Sequence, residues 1–263
     1  MLKLLFTPEK LLPADAGFSL LGPQHLGMLA LLALWSAAVL LWFRRLREVQ
    51  LVRALRAMAS VMLALEVLKD FVLAEIGAFS VGYLPLHLCS IAMFVCLYYC
   101  GHPKSDTCGQ ILYSVCFPGA LCALLFPDWT NFPILHFQSL HSFIYHTLLV
   151  QFSLAPVVTS RVQPGLRHVW KSMAFLVLAA LPVGAADRLL HTNYMFLEKP
   201  SPGSPLELLT VFPGHVGYLT GCFLLALGVI FLWNLCYVLL MWIWKKKRKT
   251  ARSGCVQKDE NAW

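Results

Sequence analysis

Apolar residues run along this chain in long blocks, not in the alternation of strands or the single stripe of a surface helix. Blocks of about 20 mostly apolar residues suffice to carry a helix across a bilayer core. Such blocks fall roughly at 24–43, 55–76, 82–100, 108–126, 138–158, 169–190 and 215–244. The pattern predicts an all-α polytopic membrane protein, about seven transmembrane helices in one bundle over residues 1–249. The short alternating strands of a β-barrel are missing from the pattern. The first block is too long for a signal peptide and lacks a basic residue directly before it, so it is read as an anchor. Pro85, Pro118, Pro156 and Pro182 lie in or near blocks, where proline kinks a helix and frees backbone carbonyls. The proline-rich stretch near 191–214 is expected to cap one end of the bundle. The polar segment 250–263, Thr250 to Trp263, is expected to be a disordered cytoplasmic tail.

Composition strengthens this reading. The chain is 59% hydrophobic and 13% charged, with a mean hydropathy of +0.68. A soluble domain has about 45–50% and about 25%. The net charge of +8 does not point to nucleic acid, because its main clusters flank apolar blocks. Arg44, Arg45, Arg47, Arg53 and Arg56 follow the first block, Lys104 the third, Arg161, Arg167 and Lys171 the fifth, and Lys245 to Lys249 the last. With seven spans all of these share one side, which the positive-inside rule makes cytoplasmic. The N-terminus is then outside and the C-terminus inside, in a multi-pass protein of the cell membrane. The nine cysteines contain no CxxC pair and read as small apolar packing residues.

Against this background the ionisable residues inside the blocks stand out, since each costs a few kcal/mol in hydrocarbon unless paired or wet. Glu66, Lys69 and Asp70 interrupt the second block, His87 the third, and His141 and His146 the fifth. Glu66 and Lys69 are three apart and share a helix face; Asp70 repels Glu66 unless one of the two is protonated or Lys69 bridges them. His87 and Ser90 are also three apart. Ser139, Ser142 and His146 form one stripe, and His141 with Tyr145 a neighbouring one. In the topology above, these groups, together with Asp187, Arg188, Asn193, Tyr194 and His215, converge on the outer half of the bundle. His25, His102 and His168 are read as interfacial. No HxxxH or HExxH spacing occurs, so neither a metal nor another cofactor is expected, and the GxSxG elbow of serine hydrolases is missing.

Four runs resemble the bacterial YwaF-like integral membrane proteins. They are Leu84-Pro85-Leu86-His87-Leu88-Cys89, Gly119-Ala120-Leu121 with Leu124-Leu125-Phe126-Pro127-Asp128, His141-Ser142-Phe143-Ile144-Tyr145-His146, and Asn193-Tyr194-Met195-Phe196-Leu197. The resemblance implies a compact multi-helix bundle. The chain is also distantly similar to a eukaryotic transmembrane phospholipid acyltransferase family. That family has Pro-Cys-His at the start of the matching helix, a similar Gly-Ala-Leu to Phe-Pro run, and a histidine matched by His141. Here Leu86 stands where that family has its cysteine, and Cys89 follows one turn on.

Two classes of function follow. A lipid-modifying enzyme, transferring or hydrolysing the acyl groups of a membrane phospholipid, needs a nucleophile, a base and an oxyanion donor. His87, Cys89, Ser90, His141 and His146 are the candidate catalytic residues. Glu66, Lys69, Asp70, Tyr145, Asp187, Asn193 and Tyr194 are the candidate substrate-binding ones. A small-molecule transporter or binding protein would use the same Glu, Lys, Asp and His cluster, but would also need polar groups in the inner half, which are scarce. A structural membrane protein would use the cluster to lock helices together.

Overall fold

A computed structural model describes the backbone of residues 4–260 and the side chains of residues 4–248. Among these residues every regular element is helical. The α-helices are α1 (Pro23–Phe43), α2 (Glu48–Glu75), α3 (Leu88–Gly101), α4 (Asp106–Ile111), α5 (Phe117–Leu125), α6 (Phe137–Val158), α7 (Val169–Leu190) and α8 (Gly214–Glu260). A π-helical turn, Leu112–Cys116, joins α4 to α5. Among the described residues, five stretches are long and apolar enough to cross a membrane: Pro23–Phe43, Val81–Gly101, Asp106–Leu125, Leu166–Leu190 and Gly214–Arg248. α2 and α6 are as long, at 28 and 22 residues, but their polar residues keep them out of that set.

The polarity of α6 is spent inside the bundle, whereas α2 buries Glu66 and Lys69 and leaves Arg53 and Arg56 exposed near its start. α6 packs against α1, α2, α3 and α5, and buries polar Gln138, Ser139, His141, His146 and Gln151 along with Phe143, Leu149 and Phe152. Lipid tails are as apolar as leucine, so helices associate in a membrane through close packing and hydrogen bonds. Ala59, Ala92, Cys96 and Ala155 are buried in the core where a larger side chain would push helices apart. Leucines and tryptophans of α1 and α8, among them Leu34, Trp42, Leu240 and Trp242, point outward instead.

Several expectations change locally. The third block is not one helix. A 3-10 turn, Val81–Tyr83, comes first, and α3 begins only at Leu88 with His87 as its N-cap. Pro85 explains the break, because it disfavours helical geometry in the residue before it and lacks an N–H. The fourth block carries the π turn just before Pro118, where Phe117 N–H bonds Leu112 O. His25, read as interfacial, is fully buried: its Nδ1 accepts from Leu21 N–H at 3.1 Å and its Nε2 donates to Leu124 O at 2.9 Å, tying the start of α1 to the end of α5. His168, also read as interfacial, is buried with Nε2 accepting from Arg167 at 2.9 Å. The backbone of α8 stays helical to Glu260, through residues assigned to a disordered tail, because no proline or glycine pair interrupts its ladder there. Residues 261–263 of that segment lie outside the described residues.

The residues before α1 form a strap across one end of the bundle. Phe18 N–H bonds Thr130 O at 2.9 Å, Phe137 N–H bonds Leu5 O at 2.9 Å, and His136 Nε2 donates to Thr7 O at 3.0 Å. Glu9 pairs with Asn131. Gly17 makes the approach possible, since a Cβ there would lie 2.3 Å from Thr130 O. Burial lowers the pKa of His136 below the ordinary histidine value, so it is held neutral, with Nδ1 accepting from Gln138 N–H as the α6 cap.

Candidate functional site

The polar residues of α2, α3 and α6 meet in a chamber at the strap end. Glu66 and Lys69 sit three apart on the buried face of α2, between Met62 and Leu73, while Val67, Leu68 and Phe71 of the same helix are exposed. Lys69 Nζ lies 2.8 Å from Glu66 Oε1, and Ser90 Oγ donates to the same oxygen at 3.0 Å. Lys69 also reaches Asp70 Oδ1 at 3.5 Å, bridging the two carboxylates. All three members of the Glu66–Lys69–Ser90 set are buried. A carboxylate accepting two hydrogen bonds, one from a cation, satisfies charges that would otherwise be costly in hydrocarbon.

The histidines surround this set with defined tautomers. His141 Nε2 donates to Leu65 O at 3.1 Å, which leaves Nδ1 with its lone pair. Its ring stacks on Tyr145 at 5.5 Å, and Tyr145 Oη donates to Cys89 O at 3.4 Å. His146 Nδ1 donates to Ser142 O at 2.7 Å, leaving Nε2 as the acceptor, and its ring stacks on Trp129 at 5.3 Å. His87 Nε2 donates to Gly82 O at 3.3 Å. The N-terminus of α3 has no side-chain cap, so its first-turn amides stay available beside Cys89 and Ser90.

The chamber is part of a cavity of about 1070 Å³. The part of it lined by α7 and α8, its second limb, is apolar apart from Arg188 and His215. On α7 the lining runs Met173, Leu176, Val177, Ala180, Leu181, Gly184, Ala185 and Arg188, one helix face. On α8 it runs from His215 through Leu219, Cys222 and Ala226 to Ile230. Leu181 and Phe223 line the limb and are also exposed, so it opens sideways through the lipid-facing surface.

Glu66, Lys69, His87, Cys89, Ser90, His141, Tyr145 and His146 all line this one cavity. Asp70, Asp187, Asn193 and Tyr194 do not. Asp187 is a loop anchor at the end of α7, its Oδ1 accepting from Tyr194 N–H at 2.6 Å and Thr192 Oγ1 at 2.9 Å. Asn193 Oδ1 accepts from Glu198 and Lys199 N–H at 3.0 and 3.1 Å, which closes a turn. Tyr194 is fully buried, bonds Val81 O and places its ring edge-on to His87 at 5.2 Å. These residues hold the long loop onto the start of α3, the first because an acidic side chain one turn from a helix end meets free amides of the following loop.

Sequence reasoning missed Asp128, Trp129 and Gln138, which line the same chamber. Asp128 is near enough to act electrostatically on both His87 and His146. Its signal was its place in the Leu124–Asp128 run. Asn234 was missed too: it is buried in α8 and donates to Ser114 Oγ at 2.9 Å, binding α8 to the π turn. Among the described residues, no three of His, Cys, Asp and Glu come together as a metal-holding group.

Such an arrangement, a helical bundle with its polar helix α6 packed inside and apolar side chains facing outward, is that of a transmembrane protein. The model of the TMEM164 family matches residues 20–233, and the chain belongs to that family of transmembrane proteins. No curated protein and no solved structure matches it.

Proposed function

We propose that the chain is a membrane-embedded enzyme that transfers or hydrolyses an acyl group of a phospholipid, with its reaction centre at Ser90. One observation carries this reading. A single cavity joins a lipid-open apolar limb to a buried chamber in which a hydroxyl already donates to a carboxylate. Both parts of an acyl lipid, its tail and its ester, find a matching environment there. In this reading Ser90 Oγ attacks the ester carbonyl and its proton passes to Glu66. The ester C–O bond breaks, the proton goes to the departing lysolipid oxygen, and the acyl group rests on Ser90. An acceptor hydroxyl or water then takes the acyl group, its proton passing by Glu66 back to Ser90. Lys69 orients Glu66, the first-turn amides of α3 hold the oxyanion, and His141 Nδ1 is a second proton acceptor. Ser90 is favoured over Cys89 because its hydroxyl already has a base within reach. The distant similarity to a phospholipid acyltransferase family agrees with the reaction class, although Leu86 replaces that family's cysteine and moves the nucleophile along the chain.

The reading includes seven spans, with α6 crossing inside the bundle and α2 crossing with one face against α3 and α6 and the other exposed, the N-terminus outside and the C-terminus cytoplasmic. The basic loops support the orientation. Arg44 and Arg161 line one small cavity of about 400 Å³, Arg161 lies 3.6 Å from Glu48, and Lys171 reaches Thr107, so these loops share one end of the bundle. The chamber then faces the outer leaflet of the cell membrane.

The test is turnover. Purified protein reconstituted with acyl-labelled phospholipid is expected to release lysolipid together with a free or transferred acyl chain. Ser90→Ala should lower the rate by at least about a hundredfold, Glu66→Gln should lower it strongly, and Cys89→Ala should spare most of it. No acyl release, or full turnover by Ser90→Ala, removes the proposal.

A further inference from the structure

The two walls of the apolar limb have the same length. On α7 the lining spans Met173 to Arg188, and on α8 it spans His215 to Ile230. Each is fifteen helical steps by these positions, about 22 Å at the rise of an α-helix. The helices are antiparallel neighbours, so Arg188 and His215 stand at one end of the limb and Met173 and Ile230 at the other. Half of a bilayer core is about 15 Å. The limb is therefore longer than a leaflet is deep.

Its two ends differ in chemistry. At the Arg188 end it meets the polar chamber and the exposed guanidinium. At the other end Met173, Ile230 and Val115 of the π turn are buried at 7%, 3% and 4% exposure and form one packed cluster. The Asn234–Ser114 bond fixes that cluster, because it ties α8 one turn beyond Ile230 to the residue next to Val115. Between the ends the walls carry small residues, Ala180 and Gly184 on α7 and Ala226 on α8, which leave the width a hydrocarbon tail needs.

We propose that this limb holds one acyl chain and that Met173, Ile230 and Val115 form its floor, setting the longest chain the protein accepts. The proposal rests on the acyl-lipid reading above, but its test reads binding and needs no turnover. A tail that ends short of the floor leaves contacts unmade, and a longer one must displace packed side chains. Each methylene that finds room should raise retention about fourfold.

The experiment offers the full-length protein in detergent an equimolar ladder of saturated phosphatidylcholines, from short to very long chains, and measures the retained species by mass spectrometry. Wild type is expected to retain a peaked distribution. Met173→Ala, which deepens the floor, should move the peak two or so methylenes longer, roughly tenfold or more in the ratio of adjacent even-chain species. Ala180→Trp, which blocks the limb midway, should move it shorter or abolish retention. Met173→Leu, which conserves volume, controls for folding and should leave the peak in place. If Met173→Ala does not fold, Ile230→Ala tests the same floor. An unmoved peak in folded Met173→Ala or Ile230→Ala, or tight retention without chain-length preference, overturns the proposal. A moved peak without acyl release in any variant keeps the floor and removes the enzyme reading. Acyl release that depends on Ser90, with an unmoved peak, does the reverse.

Discussion

α6 and α8 are opposites within one bundle. α8 holds a stretch of mean hydropathy 2.4, yet 11% of that window is buried, and most of its large side chains face outward. α6 is too polar to count among the apolar spans, yet most of its residues are buried. In water the order would be reversed. In a membrane the surrounding solvent is apolar, so hydrophobicity marks the outer surface and polarity marks the interior. The buried charged and imidazole groups Glu66, Lys69, His141 and His146 accordingly sit on the two helices, α2 and α6, that look least like spans, and α3 adds Ser90 beside them.

If this contrast is right, substitutions inside should matter far more than equally drastic ones outside. The largest effect is expected at the ion pair. Glu66→Ala leaves Lys69 buried without its closest partner and should cost about 3–5 kcal/mol, read as a large fall in thermal unfolding temperature in detergent. The double variant Glu66→Leu with Lys69→Leu should regain most of that loss. If the double variant is no better than the single, the pair is not an isolated buried couple. Next comes the loop anchor. Asp187→Ala strips bonds from Tyr194 N–H and Thr192 Oγ1 and should cost about 1–3 kcal/mol, with faster proteolysis in residues 191–214. An unchanged cleavage pattern would show that the loop is held by other contacts.

A third effect is pH-dependent and confined to the strap. His136 is neutral in the folded protein because burial lowers its pKa, while the unfolded chain has the ordinary value of about 6.5. The unfolded state therefore takes up a proton first as pH falls. Stability from this group is full above about pH 6.5 and declines below it, and a proton on Nδ1 also ends the cap to Gln138. Hydrogen exchange of residues 4–18 should rise between about pH 6.5 and 5, and His136→Asn should flatten that rise. The smallest effect is expected on the lipid face. Leu240→Ala, at a site 66% exposed, should shift stability by less than about 0.5 kcal/mol in detergent. A loss comparable with that of Glu66→Ala would mean that α8 is covered by protein.

The helical architecture was legible in the block pattern because each apolar block is a covalent property of a local stretch. Helices α1, α6 and α7 begin and end close to where the blocks do, and α2 ends where its block does but begins at Glu48, ahead of residue 55. The pairing of Glu66 with Lys69 was legible for the same reason, since a three-residue spacing on a helix is local geometry. Less legible was anything that depends on two distant segments. Ser90 was a candidate, but its partner is a carboxylate 24 residues away instead of the histidine that spacing favoured. Asp187 and Tyr194 looked like site residues, and they turn out to bond each other. Residues 4–22 lie ahead of the first apolar block and became the strap, because their hydrogen bonds go to Thr130, Asn131, His136 and Phe137, in the α5–α6 loop and at the start of α6.

By itself the sequence determined that this is a helical membrane protein and which residues would be costly to leave in lipid, because both follow from local side-chain chemistry against a hydrocarbon solvent. The tertiary structure alone decided which of those residues share a cavity, which merely tie a loop, and where the apolar limb ends. Those outcomes are set by helix packing, and packing brings together positions whose spacing along the chain carries no record of their meeting.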